Sequence, residues 1–174
     1  NCPISNEDLK ISKGIEVGHI FYFGTKYSKA MGAEIALADG SMVPVHMGSY
    51  GVGISRLVAA LIEANHDEKG IVWPHSISPF DIGIINLSTE NTICSEISCK
   101  IYENLKSLGK DVLYDDSNER AGVKMANMDL LGFPWQIIIG PRLSKSNLCE
   151  VKNRSSGKVR EISFDKVIDF FKEI

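Results

Sequence analysis

The chain contains no apolar run near the roughly 20 residues that a membrane-spanning helix needs, so its sequence gives no such span. Internal repeats and low-complexity tracts are absent, which excludes a solenoid. Cysteine is sparse. Cys2, Cys94, Cys99 and Cys149 are scattered, no Cys-x-x-Cys pair occurs, and the four histidines do not cluster with them. That argues against a structural metal site and for free thiols in a reducing setting. An excess of positive charge is also missing: the formal net charge is −3. From residue 76 onward there are 13 Lys and Arg against 14 Asp and Glu. Any polyanion must therefore be held by a local patch and specific contacts, not by a general basic field. No N-terminal segment reads as a signal peptide. The first residue is asparagine, not methionine, so the chain reads as a fragment or processed product.

What is present suits an ordinary globular protein. The 174 residues are 44% hydrophobic and 24% charged, enough for one large domain or two small ones. The boundary is expected in Gly70–Phe80, which carries two prolines and follows the polar run Asn65–Lys69. Asp67-Glu68-Lys69 reads as a solvated helix end.

Before the boundary, strands are expected at His19–Ser28 and on either side of Asp39-Gly40, a hairpin signal. Val52, Leu57, Val58, Leu61 and Ile62 then recur as a buried helix face. This half reads as an antiparallel sheet packed by one helix. After the boundary, strands at Ile82–Leu87, Asp111–Tyr114 and Trp135–Ile139 alternate with helices. One helix, marked by Ile93, Ile97, Ile101, Leu105 and Leu108, has Ser88 or Thr89 as its expected cap. The other is Gly122–Leu131. A hairpin around Ser155-Ser156-Gly157 and a last helix with Phe164, Val167, Ile168 and Phe171 on one side complete the pattern. The fold class is α/β: an α+β part with antiparallel strands, then an α/β sandwich with a mixed sheet.

The densest chemical signal is Met-Gly-Ser-Tyr-Gly-Val-Gly-Ile-Ser-Arg at 47–56. Gly48, Gly51 and Gly53 allow tight turning and close backbone approach. Arg56 falls in the first turn of the helix, where a guanidinium can grip a phosphate beside the helix N-terminus. The same pattern also suits a plain glycine-rich turn capping a core helix, with Arg56 as a surface charge.

Two further stretches narrow this. Gly-Ile-Glu-Val-Gly-His-Ile-Phe-Tyr-Phe-Gly-Thr-Lys-Tyr-Ser spans 14–28, and Asp115-Asp116-Ser117-Asn118-Glu119-Arg120-Ala121-Gly122-Val123-Lys124 precedes Leu130-Leu131-Gly132-Phe133-Pro134. With 47–56, in this order, they resemble the C-terminal part of the bacterial-type prolyl-tRNA synthetases, which are class II aminoacyl-tRNA synthetases. The likeness runs from about residue 11 to the end. Ser49 stands where many family members have cysteine. Ser117, Ala121 and Asn127 stand where arginine, proline and aspartate are usual, and Asp129 replaces a common glutamate.

The resemblance implies residues 1–72 as the end of a catalytic domain, 73–79 as a linker and 80–174 as an anticodon-binding domain. It implies ATP, with Mg2+ carried by ATP, as well as proline and tRNA(Pro), in a cytoplasmic homodimer with no membrane contact and no protein-bound metal. Arg56 would be the catalytic cation on the far phosphate, with Gly51 and Gly53 forming the ATP floor. Glu16, His19, Phe21, Gly48 and Ser49 would line the proline pocket. Glu119, Arg120 and Lys124 would read the anticodon, whose last two bases are guanines for proline. His46, His66 and His75 show no partner pattern and read as structural or exposed. The family's first and second signature motifs do not occur in these 174 residues, so the chain alone is expected to be inactive. The alternative is a non-enzymatic tRNA-binding module or paralogue. A generic nucleotide-binding α/β protein would have to explain three matched stretches in the right order.

Overall fold

A computed structural model of the chain describes residues 11–173. Two compact units divide the chain, Asn1–Leu61 and Ile62–Ile174. Cys2 lies outside the described residues, while Cys94, Cys99 and Cys149 are free thiols.

The first unit holds β1 (Gly18–Gly24), α1 (Lys26–Met31), β2 (Glu34–Ala36), β3 (Met42–Pro44) and β4 (Met47–Val52), then most of α2 (Ile54–Ala64). β2 and β3 form the hairpin that Asp39-Gly40 predicts, with Ile35 opposite Val43. Asp39 Oδ1 accepts from the Ser41 amide at 2.9 Å and closes the turn. β1 pairs with β4 in a second antiparallel ribbon, with a bulge between Tyr22 and Gly24.

Three expectations need correction here. The strand expected to reach Ser28 stops at Gly24, whose φ of 56° turns the chain into α1. The glycine-rich stretch is not a tight turn, because Gly48 and Gly51 lie within extended β4. The apolar stripe of α2 is only half covered, and none of its residues is buried.

The second unit begins with a small hairpin, β5 (His66–Asp67) and β6 (Gly70–Ile71), and a single 3-10 turn, His75–Ile77. Then come β7 (Ile82–Asn86), α3 (Thr92–Ser107), β8 (Val112–Asp115), α4 (Ala121–Leu131), β9 (Trp135–Ile139), α5 (Pro141–Ser144), β10 (Leu148–Asn153), β11 (Val159–Ser163) and α6 (Phe164–Lys172). The sheet order is β11-β10-β9-β7-β8. β8, β7 and β9 run parallel, and β10 and β11 add an antiparallel edge. Central β7 is buried along its whole length, as an uninterrupted apolar run requires when both faces are covered. On one face Ile82, Ile84, Ile137 and Val151 pack with α3 (Ile101, Leu105) and α6 (Val167, Phe171). On the other, Ile85 and Ile138 pack with Met128 of α4 and Phe133. β7 therefore leads to a helix on one face and β8 to a helix on the other.

Two local readings change. Asn91 caps α3 in place of Ser88 or Thr89, its Oδ1 accepting from the Cys94 amide at 3.1 Å. Asp67 is not a solvated helix end: it lies in the β5–β6 hairpin and takes both guanidinium arms of Arg154 at 2.7 Å each. Arg154 is 4% exposed and donates its Nε to the Asp129 carbonyl at 3.1 Å. The Asp129 carboxylate accepts from Lys152 and from Gln136 Nε2. Trp73 donates its amide to the Gly132 carbonyl and its indole N–H to the Leu131 carbonyl. Gly132 caps α4 with φ 76°, and a Cβ there would overlap the Ile71 carbonyl.

Candidate functional site

In the first unit, β1 and β4 bring together residues about 30 positions apart in sequence. The register sets His19 opposite Gly51 and Phe21 opposite Ser49, and directly opposed residues share a face. His19 and Phe21 stack with ring centres 4.1 Å apart, and Phe23 continues the row 6.0 Å further on. Sequence reasoning singled out only Phe21 of these two phenylalanines. Phe23 was legible too, because alternation puts residues 19, 21 and 23 on one side of a strand. Gly48 is needed for close approach: a Cβ there would sit 3.0 Å from the Phe21 carbonyl oxygen.

Arg56 lies in the first turn of α2 and donates Nη1 to the Glu16 carbonyl at 3.0 Å. The Gly53 amide donates to the Val17 carbonyl at 3.0 Å, tying the helix start to the approach of β1. The Glu16 carboxylate reaches His19 Nδ1 at 3.3 Å. His19, Phe21, Ser49, Gly51 and Arg56 thus share one strand pair and one helical turn, with Glu16 just before β1. Arg56 is exposed and has no carboxylate partner among the described residues, so its charge is available to an anion. The other histidines do have partners. Tyr22 Oη meets His46 Nδ1 at 2.7 Å, His66 Nδ1 meets the Glu63 carbonyl at 2.9 Å, and His75 lies 3.9 Å from Asp81.

In the second unit, Glu119 and Arg120 lie on the loop from β8 to α4, at the carboxyl end of the parallel strands. Both side chains are exposed, and neither forms a hydrogen bond or ion pair among the described residues. Lys124 is placed differently: it is 1% exposed and lies at the carboxyl ends of β7 and β8. Its ammonium donates to the Asn86 carbonyl at 2.7 Å and the Asp115 carbonyl at 3.3 Å, and lies 3.6 Å from the Asp115 carboxylate. As placed, it ties two strand ends together and does not face solvent. Asp115 Oδ1 also accepts from the Ser117 amide and hydroxyl, which shapes the loop ahead of Glu119. Asn86 was missed from sequence. It is fully buried, donates to Ser95 and Tyr114, and accepts from the Ser88 amide. The available signal was a lone amide ending an apolar run. Among the described residues, no three His, Cys, Asp or Glu converge as a metal cluster. No helix among them is long and apolar enough to cross a membrane.

Residues 81–174, just over half of the chain, match the family described as "Anticodon binding domain". The chain belongs to the anticodon-binding domain family. Its curated relatives include the proline–tRNA ligase of Wolbachia sp. subsp. Brugia malayi (strain TRS), 54% identical over 170 residues, covering 98% of this chain and 40% of that protein. The proline–tRNA ligase of Zymomonas mobilis subsp. mobilis (strain ATCC 31821) is 48% identical over 165 residues, covering 95% of this chain and 37% of that protein. The chain thus spans about 40% of the length of the curated relatives it matches. A crystal structure of prolyl-tRNA synthetase from Cryptosporidium parvum, complexed with L-proline and AMP, shares the fold. The TM-score is 0.76 at 22% identity, covering 90% of this chain and 33% of that one.

Proposed function

We propose that the chain is part of a proline–tRNA ligase. Residues 1–72 close its ATP and proline site, 73–79 link, and 80–174 read the anticodon of tRNA(Pro). The observation that carries this reading is the β1–β4 register, which sets the aromatic row His19–Phe21 against Ser49 and Gly51 within one turn of Arg56.

In the proposed reaction, the carboxylate of proline attacks the α-phosphate of ATP and pyrophosphate leaves. Prolyl-adenylate then passes its prolyl group to the tRNA. Charge builds on phosphate oxygens in the transition state, so fixed cations and in-line positioning matter more than a protein nucleophile. Arg56 holds the far phosphate of ATP, moving its guanidinium from the Glu16 carbonyl to the anion. Gly51 and Gly53 keep the floor open for the nucleotide. Phe21 walls the apolar ring of proline. His19 and Ser49 offer polar contacts to its secondary ammonium, Glu16 orients His19, and Gly48 lets the strands approach. Mg2+ would arrive with the triphosphate and neutralise part of its charge, and no residue of this chain is assigned to it. Glu119 accepts from the Watson–Crick edge of an anticodon guanine and Arg120 holds guanine acceptors or phosphate. Lys124 supports that loop from inside. The enzyme so composed is a cytoplasmic homodimer.

The test uses the complete enzyme that this reading implies. Arg56→Ala is expected to slow proline-dependent ATP–pyrophosphate exchange by about 100-fold. Exchange at close to the parent rate would overturn the phosphate role.

A further inference from the structure

A cavity in the second unit lies at the opposite end of the sheet from Glu119 and Arg120. It occupies about 490 Å³ where β9 and β11 begin and β10 ends, within the range of roughly 300–1,000 Å³ typical of small-ligand sites. Trp135 and Phe170 wall it, their rings edge to face at 5.4 Å and 86°. A flat base stacked on one ring would meet the edge of the other, a geometry aromatic groups favour.

The polar equipment is unspent. Lys158 and Arg160 stand at the cavity, and neither enters an ion pair among the described residues. This contrasts with Lys152 and Arg154 on the neighbouring strand and turn, which are both paired. The register places Arg160 across from Val151 and Trp135 across from Asn153, so both pairs frame one patch of sheet. The Asn153 side-chain oxygen already accepts from Ser155 and Ser156, while its amide N–H2 donates to no group among the described residues. The indole N–H of half-buried Trp135 likewise has no partner among the described residues, although indoles in partly buried positions usually find one. Glu173 adds a carboxylate acceptor at the same cavity. A smaller cavity of about 300 Å³ shares Trp135 and Asn153 and is walled by Trp73. Both tryptophans of the chain therefore line this end of the unit.

An aromatic wall, two free cations, unspent donors and one acceptor match a ligand with a flat amino-bearing base and an attached phosphate. We infer that this cavity binds a purine nucleotide, its base against Trp135 or Phe170 and its phosphate on Arg160 and Lys158. The base amino group donates to Glu173. The nucleotide is either a free mononucleotide or an unpaired nucleotide of RNA, since stacking and phosphate contact serve both. The site is separate from the anticodon loop and does not depend on its assignment.

The test is titration of the full chain, labelled with 15N, with AMP. The two indole N–H resonances report directly on Trp73 and Trp135, and the first unit contributes none. AMP is expected to shift the Trp135 resonance saturably. Ribose 5-phosphate, which lacks the base, and adenosine, which lacks the phosphate, should bind at least about tenfold more weakly, as loss of a stacking or charge-assisted contact requires. Arg160→Glu, an exposed change that leaves both tryptophans in place, should raise the apparent Kd for AMP at least about tenfold by reversing a phosphate contact. A short unstructured adenosine oligoribonucleotide separates the two sources. Tighter binding than AMP assigns the cavity to RNA, and weaker binding assigns it to a free nucleotide. No Trp135 shift with AMP or the oligonucleotide overturns the inference. So does an equal response to ribose 5-phosphate, or an unchanged Kd in Arg160→Glu. Anticodon-dependent tRNA binding, measured alongside, tests the other end of the sheet separately.

Discussion

Arg120 and Lys124 lie within one turn of each other and differ in every physical respect. Arg120 is exposed and unpaired, whereas Lys124 is enclosed by two backbone carbonyls and a carboxylate. Removing the Lys124 ammonium leaves those acceptors buried without a donor, a loss of about 1–3 kcal/mol. Lys124→Met is therefore expected to lower unfolding stability by about 2 kcal/mol and to weaken RNA binding through the β8–α4 loop. Arg120→Ala should weaken RNA binding with stability unchanged. Urea melts of both variants check this, and equal stability of Lys124→Met and the parent would contradict it. Cysteine reactivity follows burial in the same way. The Cys149 thiol is pushed up to about 12, first by burial and then by the neighbouring Glu150 charge, so its thiolate is scarce near neutral pH. Cys99 is exposed. Peptide mapping after brief iodoacetamide treatment of the folded chain should find Cys99 modified and Cys149 untouched.

At the scale of elements, the β5–β6 hairpin is fastened by charge to Arg154, just after β10, and by shape to the α4–β9 turn. The Arg154 guanidinium and two backbone amides hold the Asp67 carboxyl well below the usual carboxylate range. Burial pushes the Asp129 carboxyl up, but hydrogen bonds from Lys152 and Gln136 more than offset it and hold the carboxyl low. A carboxyl depressed on folding adds stability that is fully present above its unfolded value near 4 and is lost as pH falls through the lower folded value. Asp67→Asn should therefore destabilise the second unit at pH 7, and its difference from the parent should shrink as pH falls below about 4. Urea titrations at several pH values measure this, and a difference constant with pH would contradict it. Gly132→Ala should also destabilise, because alanine would be strained at φ 76° and would overlap the Ile71 carbonyl.

These fastenings explain what the sequence could and could not reveal. The apolar run of β7, the span of β9 and the hairpin around Asp39-Gly40 are local patterns, and each was legible. The Asp67–Arg154 pair joins residues 87 positions apart, and no periodicity announces it. α1 has six residues between two glycines with positive φ, too few to show a helical repeat. At the site, Arg56 and the aromatic strand could be read from local chemistry and resemblance. The interior position of Lys124 could not, because a lysine in the first turn of a helix that follows the charged loop Asp115–Arg120 reads as a surface charge.

At the scale of the whole molecule, the two units differ in how well they cover their own apolar surface. The buried residues that form the two core clusters all fall in the second unit. The first exposes Ile20 at 82%, Tyr50 at 88% and Ile54 at 72%. Contiguous exposed apolar side chains along a two-stranded ribbon favour association with another surface. The chain is expected to self-associate as its concentration rises, with a mass by light scattering above that of one copy. Strict monomer behaviour across the concentration range would contradict this.

The proposal that the second unit reads the proline anticodon is tested most directly by equilibrium binding of this chain to tRNA(Pro) at one fixed, modest salt concentration. Salt is held constant because phosphate contacts dominate affinity and vary steeply with it. The comparison is the same tRNA with its two anticodon guanines replaced. Tighter binding to the unaltered tRNA is expected, with the preference reduced in Glu119→Ala. Equal affinity for the two tRNAs, or a preference untouched by Glu119→Ala, would contradict it.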